Sequence, residues 1–157
     1  MATTIAAADL AVTITETITI NGQSLGGSNT KQFLAANDPA DTITSVYKRV
    51  INVPTSEITL WTAHATAVSG AQLDKDLIVY ARVTNKDDTN YVELRISASS
   101  DEFVYKLAAG ESFLLHAHTD CMNANAGAAG APDAHITDVQ AKANTAACDV
   151  EIFIASK

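Results

Sequence analysis

The sequence is short of charge, above all of positive charge. Charged residues make up 18% of the 157 residues, below the roughly 25% of an average globular domain. Hydrophobic residues make up 47%, so the composition predicts a packed domain and not a disordered chain. The chain has ten basic and 18 acidic residues, which gives a formal net charge of −8. Because an acidic surface repels phosphate backbones, we expect no nucleic-acid partner.

Long apolar runs and a cysteine framework are also missing. No run approaches the roughly 20 residues that a membrane-spanning helix needs. The opening MATTIAAADL lacks the positive charge and apolar length of a secretory signal, so we expect synthesis in a cytoplasm and no membrane partner. Two cysteines, Cys121 and Cys148, are too few for a disulfide scaffold. Cys148 reads as a small buried side chain, although a bridge to Cys121 stays open.

The strongest pattern that is present has a period of two. From Val12 to Ile20 the text VTITETITI places Val and Ile on one face and Thr on the other. This alternation predicts a half-buried strand, and Asn21-Gly22 predicts a tight turn after it. Similar patterns predict strands at 43–53, 58–61, 77–83, 91–96, 103–107, 113–116, 136–141 and 148–155, with a weaker one at 30–35.

Short strands with turn residues between them favour an antiparallel sandwich or barrel. The best helical candidate, 63–73, is short and broken by Gly70. We therefore predict an all-β protein, an antiparallel β-sandwich of jelly-roll-like form with about ten strands. Residues 1–10 are predicted to be an N-terminal arm and 11–157 a single sandwich domain. The Ala- and Gly-rich loop 117–134 is long enough to predict a functional or interfacial role.

One segment, GESFLLHAH at 110–118, matches the opening of the cupin metal motif. Two histidines at i and i+2 on a strand share a face, so both rings could bind one metal. The Glu that this motif requires next is missing, and a site needs three or four ligands. We predict no metal, no cofactor, no catalytic residue and no enzyme. The incomplete set of candidate ligands is His116, His118, Asp120 and His135.

Two further groups of residues have a binding interpretation beside a plainer one. The loop NKDDTN at 85–90 could hold calcium through Asp87 and Asp88, but it lacks the spaced acidic ligands of an EF-hand. A polar hairpin loop is the preferred interpretation. Four aromatic residues on predicted strands could stack on sugars, although aromatics at 6% are needed for the core. These residues are Tyr47, Trp61, Tyr91 and Tyr105.

Several segments resemble small virion structural proteins of tailed bacteriophages, notably marine ones. They are TITINGQSLGGSNTKQF, ITSVYKRVINVPTSEITL, YARVTNKDDTNYVELRI, FVYKLAAGESFLL and VQAKANTAACDVEIFIASK. The most characteristic part is V-T-N-x-D-x-x-N-Y-V-x-L followed by L-x-A-G-E-S-F-x-L. The resemblance implies a jelly-roll-like sandwich displayed on the virion, and it transfers no catalytic residue.

From the resemblance we expect a capsid decoration or cement protein that binds the major capsid protein or other virion proteins. It implies a homo-oligomer, with a trimer favoured by analogy. One alternative is a tail- or fibre-associated adaptor or receptor-binding module for glycans, and another is a cupin-like metalloprotein. Met1–Leu10 and the Thr-rich strand after it are expected to help anchor the protein by strand addition. A disordered tail is the alternative for the arm.

Overall fold

The computed structural model describes residues 8–33, 42–67, 72–98, 101–116 and 135–157. Every regular element in these ranges is a β-strand, which confirms the all-β prediction. The same ranges contain no helix that is long and apolar enough to cross a membrane. The chain forms two compact units, Met1–Thr44 with Lys157, and Ser45–Ser156. The predicted arm at 1–10 lies mostly outside the described residues, and the single domain over 11–157 stays a prediction.

The first unit contains β1 (Leu10–Thr15), β2 (Thr19–Ile20), β3 (Gln23–Ser24) and β4 (Ser28–Phe33). These strands form one long hairpin, in which Leu10 pairs with Phe33, Thr15 with Ser28 and Ile20 with Gln23. The register is therefore constant from end to end. Asn21 and Gly22 form the tip with φ of 51° and 80°, the left-handed conformation that a type I′ turn requires. The predicted turn is thus confirmed.

The predicted half-buried strand from Val12 to Ile20 is wrong in two respects. Residues 16–18 interrupt it between β1 and β2. Its apolar side chains are also exposed, with Ile14 at 40% and Ile20 at 49%. The alternation itself is real, but a two-stranded ribbon has no second layer of its own to bury the apolar face.

The second unit is a sandwich of two antiparallel sheets. One sheet has the order β10-β9-β12-β6-β7 and the other β11-β8-β13-β5. Among the strands that the structure describes, only the two-residue pair of β6 with β7 is parallel. The strands are β5 (Ser45–Val53), β6 (Ile58–His64), β7 (Leu73–Asp74), β8 (Ile78–Asn85), β9 (Val92–Ala98), β10 (Asp101–Leu107), β11 (Ser112–Leu115), β12 (Asp138–Ala143) and β13 (Cys148–Ser156).

The core lies between the two sheets and follows the predicted alternation. On β9 the inward residues Val92, Leu94 and Ile96 are fully buried. On β13 the inward set is Cys148, Val150, Ile152 and Ile154, which are also fully buried. Cys148 has no disulfide partner among the described residues. Cys121 lies outside them, so a bridge between the two cysteines stays untested. The helical candidate at 63–73 begins inside β6 and reaches β7, and the described part of it is strand and bend without helix.

Strand β6 contains a feature that simple alternation did not predict. Against β12, Trp61 pairs with Val139 while Thr59 pairs with Gln140, so Leu60 is an extra residue in a β-bulge. Because the bulge shifts the period by one, Leu60 and Trp61 are both buried, at 4% and 5% exposure. Trp61 is thereby turned toward the interior.

Candidate functional site

Within the described residues, the candidate metal ligands do not meet. His116 follows β11 and lies edge-on to Tyr80, with ring centroids 5.7 Å apart. His135 precedes β12 and places Nε2 3.2 Å from Asp76 Oδ1. His118 and Asp120 lie outside the described residues, as does the rest of the loop 117–134. In the ranges that are described, no three His, Cys, Asp or Glu side chains group as metal ligands. The prediction of no metal stays a prediction.

The loop at 85–90 is built around internal hydrogen bonds. Asp87 Oδ1 accepts from the backbone N–H groups of Asn90 at 2.6 Å and Thr89 at 2.8 Å. These two bonds, with that of Asn90 the stronger, lower the pKa of the Asp87 carboxyl below its ordinary 3.8. The carboxylate therefore serves the turn itself, as the polar-hairpin interpretation requires.

Two of the four aromatic candidates meet at a cavity. Tyr47 on β5 and Trp61 on β6 line a space of about 230 Å³. The remaining lining residues are Leu60, Thr62, His64, Gln72 and Leu73. Arg49 donates to the Tyr47 hydroxyl at 2.7 Å. Trp61 Nε1 is buried and has no hydrogen-bond partner, so this donor does not reach the open space. The cavity could take a small, partly polar ligand.

The third aromatic candidate belongs to an exposed cluster of three rings. Tyr105 on β10 lies 4.9 Å from Phe113 on β11, and Phe103 lies 6.4 Å from the same ring, measured between centroids. Phe103 and Tyr105 each remain 41% exposed. The fourth candidate, Tyr91, is covered by the ammonium of Lys106 at 4.4 Å from its centroid. Strands β10 and β11 thus bring the rings of Phe103, Tyr105 and Phe113 together at one open edge of the sandwich.

The hairpin of the first unit exposes a second apolar surface. Its constant register places Ile14, Ile18, Ile20 and Leu25 on one face, and all four are at least 40% exposed. On the opposite face the hydroxyls of Thr13 and Thr30 lie 2.9 Å apart. The hairpin is therefore an amphipathic ribbon. We call the side with the three Ile and Leu25 the apolar face of the hairpin.

Glycine allows the hairpin to close in its irregular middle. A Cβ on Gly26 would lie 2.1 Å from the backbone oxygen of Glu16, which no real contact permits. A Cβ on Gly27 would meet only a Glu16 carboxylate oxygen, at 3.8 Å. The two arms of the hairpin approach each other so closely at Gly26 that a glycine is required there. At Gly27 the approach is wider, and a glycine is not required. Residues 24–29, with the sequence SLGGSN, lie on the return side of this ribbon, where Ser24 ends β3 and Ser28 begins β4.

No protein-family model matches the chain, and no curated protein has a significantly similar sequence. Function therefore has to be argued from the surfaces described above. Two of them are exposed and apolar, and the third is a small cavity. The first two suit contacts with protein, because contiguous exposed apolar surface marks interaction sites.

Proposed function

We propose that the protein is a non-enzymatic structural component of a tailed-phage virion, made in the host cytoplasm. Specifically, it is a capsid decoration or cement protein that binds the assembled shell through the major capsid protein. The observation that carries this proposal is the apolar face of the hairpin. The resemblance of the sequence to small phage virion proteins is the reason for proposing that the particle it binds is a phage virion.

The hairpin suits attachment for a thermodynamic reason. A two-stranded ribbon by itself is marginally stable in water, and here Ile18 and Leu25 are 47% and 62% exposed. Covering such side chains yields roughly 25 cal/mol for each Å² of apolar surface removed from water. A shell protein that binds this face also stabilises the folded hairpin by mass action. Binding to the shell would therefore cover the apolar face of the hairpin and hold neighbouring shell subunits together.

The strand order supports the same proposal by analogy of fold. We take β5, β6, β8, β9, β10, β11, β12 and β13 in chain order. Successive strands lie in different sheets, except that β9 and β10 form a hairpin within one sheet. The resulting orders, β11-β8-β13-β5 and β10-β9-β12-β6, are those of an eight-stranded jelly roll. Viral capsid proteins, lectins and cupins share this architecture. We propose the jelly-roll assignment on this order, and fold alone does not decide among these functions.

The test is binding to DNA-free shells of the phage that encodes the protein, measured by co-sedimentation. We expect saturable binding by the full chain. We also expect at least a tenfold loss when Ile14, Ile18 and Ile20 are all changed to Thr, which keeps the β-branched shape. The control changes two exposed apolar residues of β5, Val46→Thr with Val50→Thr, and should bind like the wild type. No binding by the wild-type chain would overturn the proposal.

A second experiment concerns the N-terminal arm, which we propose as part of the anchor. Deletion of residues 2–9 leaves every strand of the second unit intact, so folding should survive. Shell occupancy, counted by electron microscopy of decorated particles, should fall sharply. Unchanged occupancy would confine the anchor to the hairpin or to the loop at 117–134.

A glycan-binding module of a tail or fibre is the second candidate function. The observation in its favour is the cavity between Tyr47 and Trp61, since an aromatic wall and polar groups such as Thr62 and Gln72 suit a sugar ring. A glycan array with the purified chain distinguishes the two functions. Binding that is lost in Tyr47→Ala, together with absent shell binding, would replace decoration by receptor binding.

A further inference from the structure

The outer edge of β10 is a seven-residue strand edge with an apolar centre, and it has no partner among the described residues. β10 pairs with β9 from Asp101 to Leu107 with no register shift, and it ends the order of its sheet. Its central residue Val104 is 61% exposed, and its neighbours Phe103 and Tyr105 are 41% exposed. An edge of this kind presents free backbone N–H and C=O groups to another strand.

The other edges of the sandwich are protected in ways that β10 is not. β11 is only four residues long, and the edge of β6 is partly covered by β7. β5 is nine residues long, but its centre carries Lys48 and Arg49. Self-pairing about that centre would place Arg49 opposite its own copy, and like charges directly opposite each other are destabilising. Short edges and central positive charge are common protective devices.

The charges of β10 are arranged in the opposite manner. Its sequence DEFVYKL is acidic at the start and basic near the end. Glu102 and Lys106 lie two positions on either side of Val104, and both are exposed. An antiparallel copy centred on Val104 therefore sets each Glu102 opposite a Lys106. This complementarity favours a second copy of the same chain as the occupant of the edge.

We propose that β10 pairs antiparallel with β10 of a second copy about a two-fold axis at Val104. The two five-stranded sheets then join into one continuous sheet. The pairing places Val104 opposite Val104, Phe103 opposite Tyr105, and Glu102 opposite Lys106. A two-fold interface is self-complementary in this way, because each contact occurs twice.

The cross-strand contacts favour this register on both faces of the sheet. On the face toward the core, Phe103 of one copy adjoins Tyr105 of the other, beside the Phe113 ring that each already contacts. Aromatic cross-strand pairs are among the stabilising pairs of antiparallel sheets. On the other face, two ion pairs form between Glu102 and Lys106. A one-residue slip would lose all of these pairs.

Charge reversal tests the interface on the full chain. We expect the wild type to sediment at twice its 16.5 kDa chain mass. Glu102→Lys alone, or Lys106→Glu alone, places like charges opposite each other twice and should weaken self-association about tenfold or more. The double variant restores both ion pairs with reversed sign and should restore the dimer. Lys86→Glu, an exposed loop residue with the same charge change as Lys106→Glu, is the control and should remain dimeric.

A disulfide crosslink tests the register itself, in a Cys121→Ser background. With Val104→Cys, the two Cα atoms would be about 4.5–5.5 Å apart, within the range that a disulfide bridges. With Glu102→Cys they would be four positions apart, or about 13 Å, and should not crosslink. A wild-type monomer at millimolar concentration would overturn the proposal. So would a trimer or a dimer that does not respond to either charge reversal. This interface does not depend on the proposed virion function, and it predicts a dimer in place of the trimer that the resemblance favours.

Discussion

The side-chain amide of Asn85 joins the end of β8 to the end of β10 by donating from Nδ2 to the backbone oxygen of Leu107 at 3.3 Å. The same nitrogen donates to the backbone oxygens of Asn90 at 2.8 Å and Ala108 at 3.2 Å. Asn85 Oδ1 accepts from the N–H of Asp87 at 3.0 Å. Among the described residues, Asn85 is the one buried polar residue, with 0% exposure. It therefore fixes two turns that follow strands of different sheets.

Asn85→Ala should destabilise the protein strongly. Three backbone oxygens share the two N–H groups of this amide and lose them, and a buried acceptor without a partner costs about 1–3 kcal/mol. We expect a loss of about 3 kcal/mol in the free energy of unfolding, measured by urea denaturation. The control is Asn52→Ala, because Asn52 is exposed and its side chain donates to Asp149 on the surface. That change should cost less than about 0.5 kcal/mol. Equal losses for the two variants would contradict the assigned role.

Asp87 predicts an acid-sensitive contribution to stability. Hydrogen bonds from the N–H groups of Asn90 and Thr89 lower its pKa below 3.8 in the folded state. A carboxyl whose folded pKa is below its unfolded pKa stabilises the fold above the unfolded value. That stabilisation is lost as the pH falls through the folded value. The difference in unfolding free energy between wild type and Asp87→Asn should therefore be largest near neutral pH and shrink in strong acid. A difference that is constant with pH would refute this.

The two faces of the sandwich predict very different costs for the same kind of truncation. Leu94 on β9 is fully buried between the sheets, whereas Val50 on β5 is 59% exposed. Leu94→Ala removes packed methyl groups and leaves a cavity, so it should cost about 2–5 kcal/mol. Val50→Ala should change stability by less than about 0.5 kcal/mol. Thermal or urea unfolding of the two variants measures both values, and a costly Val50→Ala would show that this face is covered in solution.

Local pattern predicted the strands of the second unit well and the exposure of the first unit poorly. The alternation of Val92, Leu94 and Ile96 correctly identified an inward face, because β9 has a neighbour on each side and a sheet above it. The same alternation at Ile14 did not lead to burial, since sequence does not say whether a second layer lies over the strand. Tyr105 shows a third case. Its inward direction follows from period two, but its partial exposure follows from its place at the edge of the sheet.

The candidate sites could be predicted less well than the strands. The bulge at Leu60 turns Trp61 inward beside Tyr47. It arises from the pairing of β6 with a strand that is distant in sequence, and no residue near Leu60 predicts it. The aromatic cluster at the open edge joins Phe103 with Phe113, which lie on strands of different sheets. The interior role of Asn85 was also not foreseen, because NKDDTN reads as a solvent-exposed loop. Each of these features depends on contacts between residues that are far apart in sequence or on different sheets.

The hairpin of the first unit provides the sharpest test of shell attachment, through two adjacent glycines. Gly26→Ala would place a Cβ 2.1 Å from the Glu16 backbone oxygen, whereas Gly27→Ala meets only a side-chain oxygen at 3.8 Å. Neither position has the left-handed φ that would itself disfavour alanine, so the two substitutions differ in close approach alone. Gly26→Ala should therefore separate the two arms of the hairpin and distort its apolar face.

Circular dichroism should show that the sandwich of the second unit is still folded in both variants. We expect shell binding to fall at least tenfold for Gly26→Ala and to stay at the wild-type level for Gly27→Ala. If Gly26→Ala binds shells as well as wild type does, the hairpin is not the attachment element, and the second unit or the loop at 117–134 must supply it.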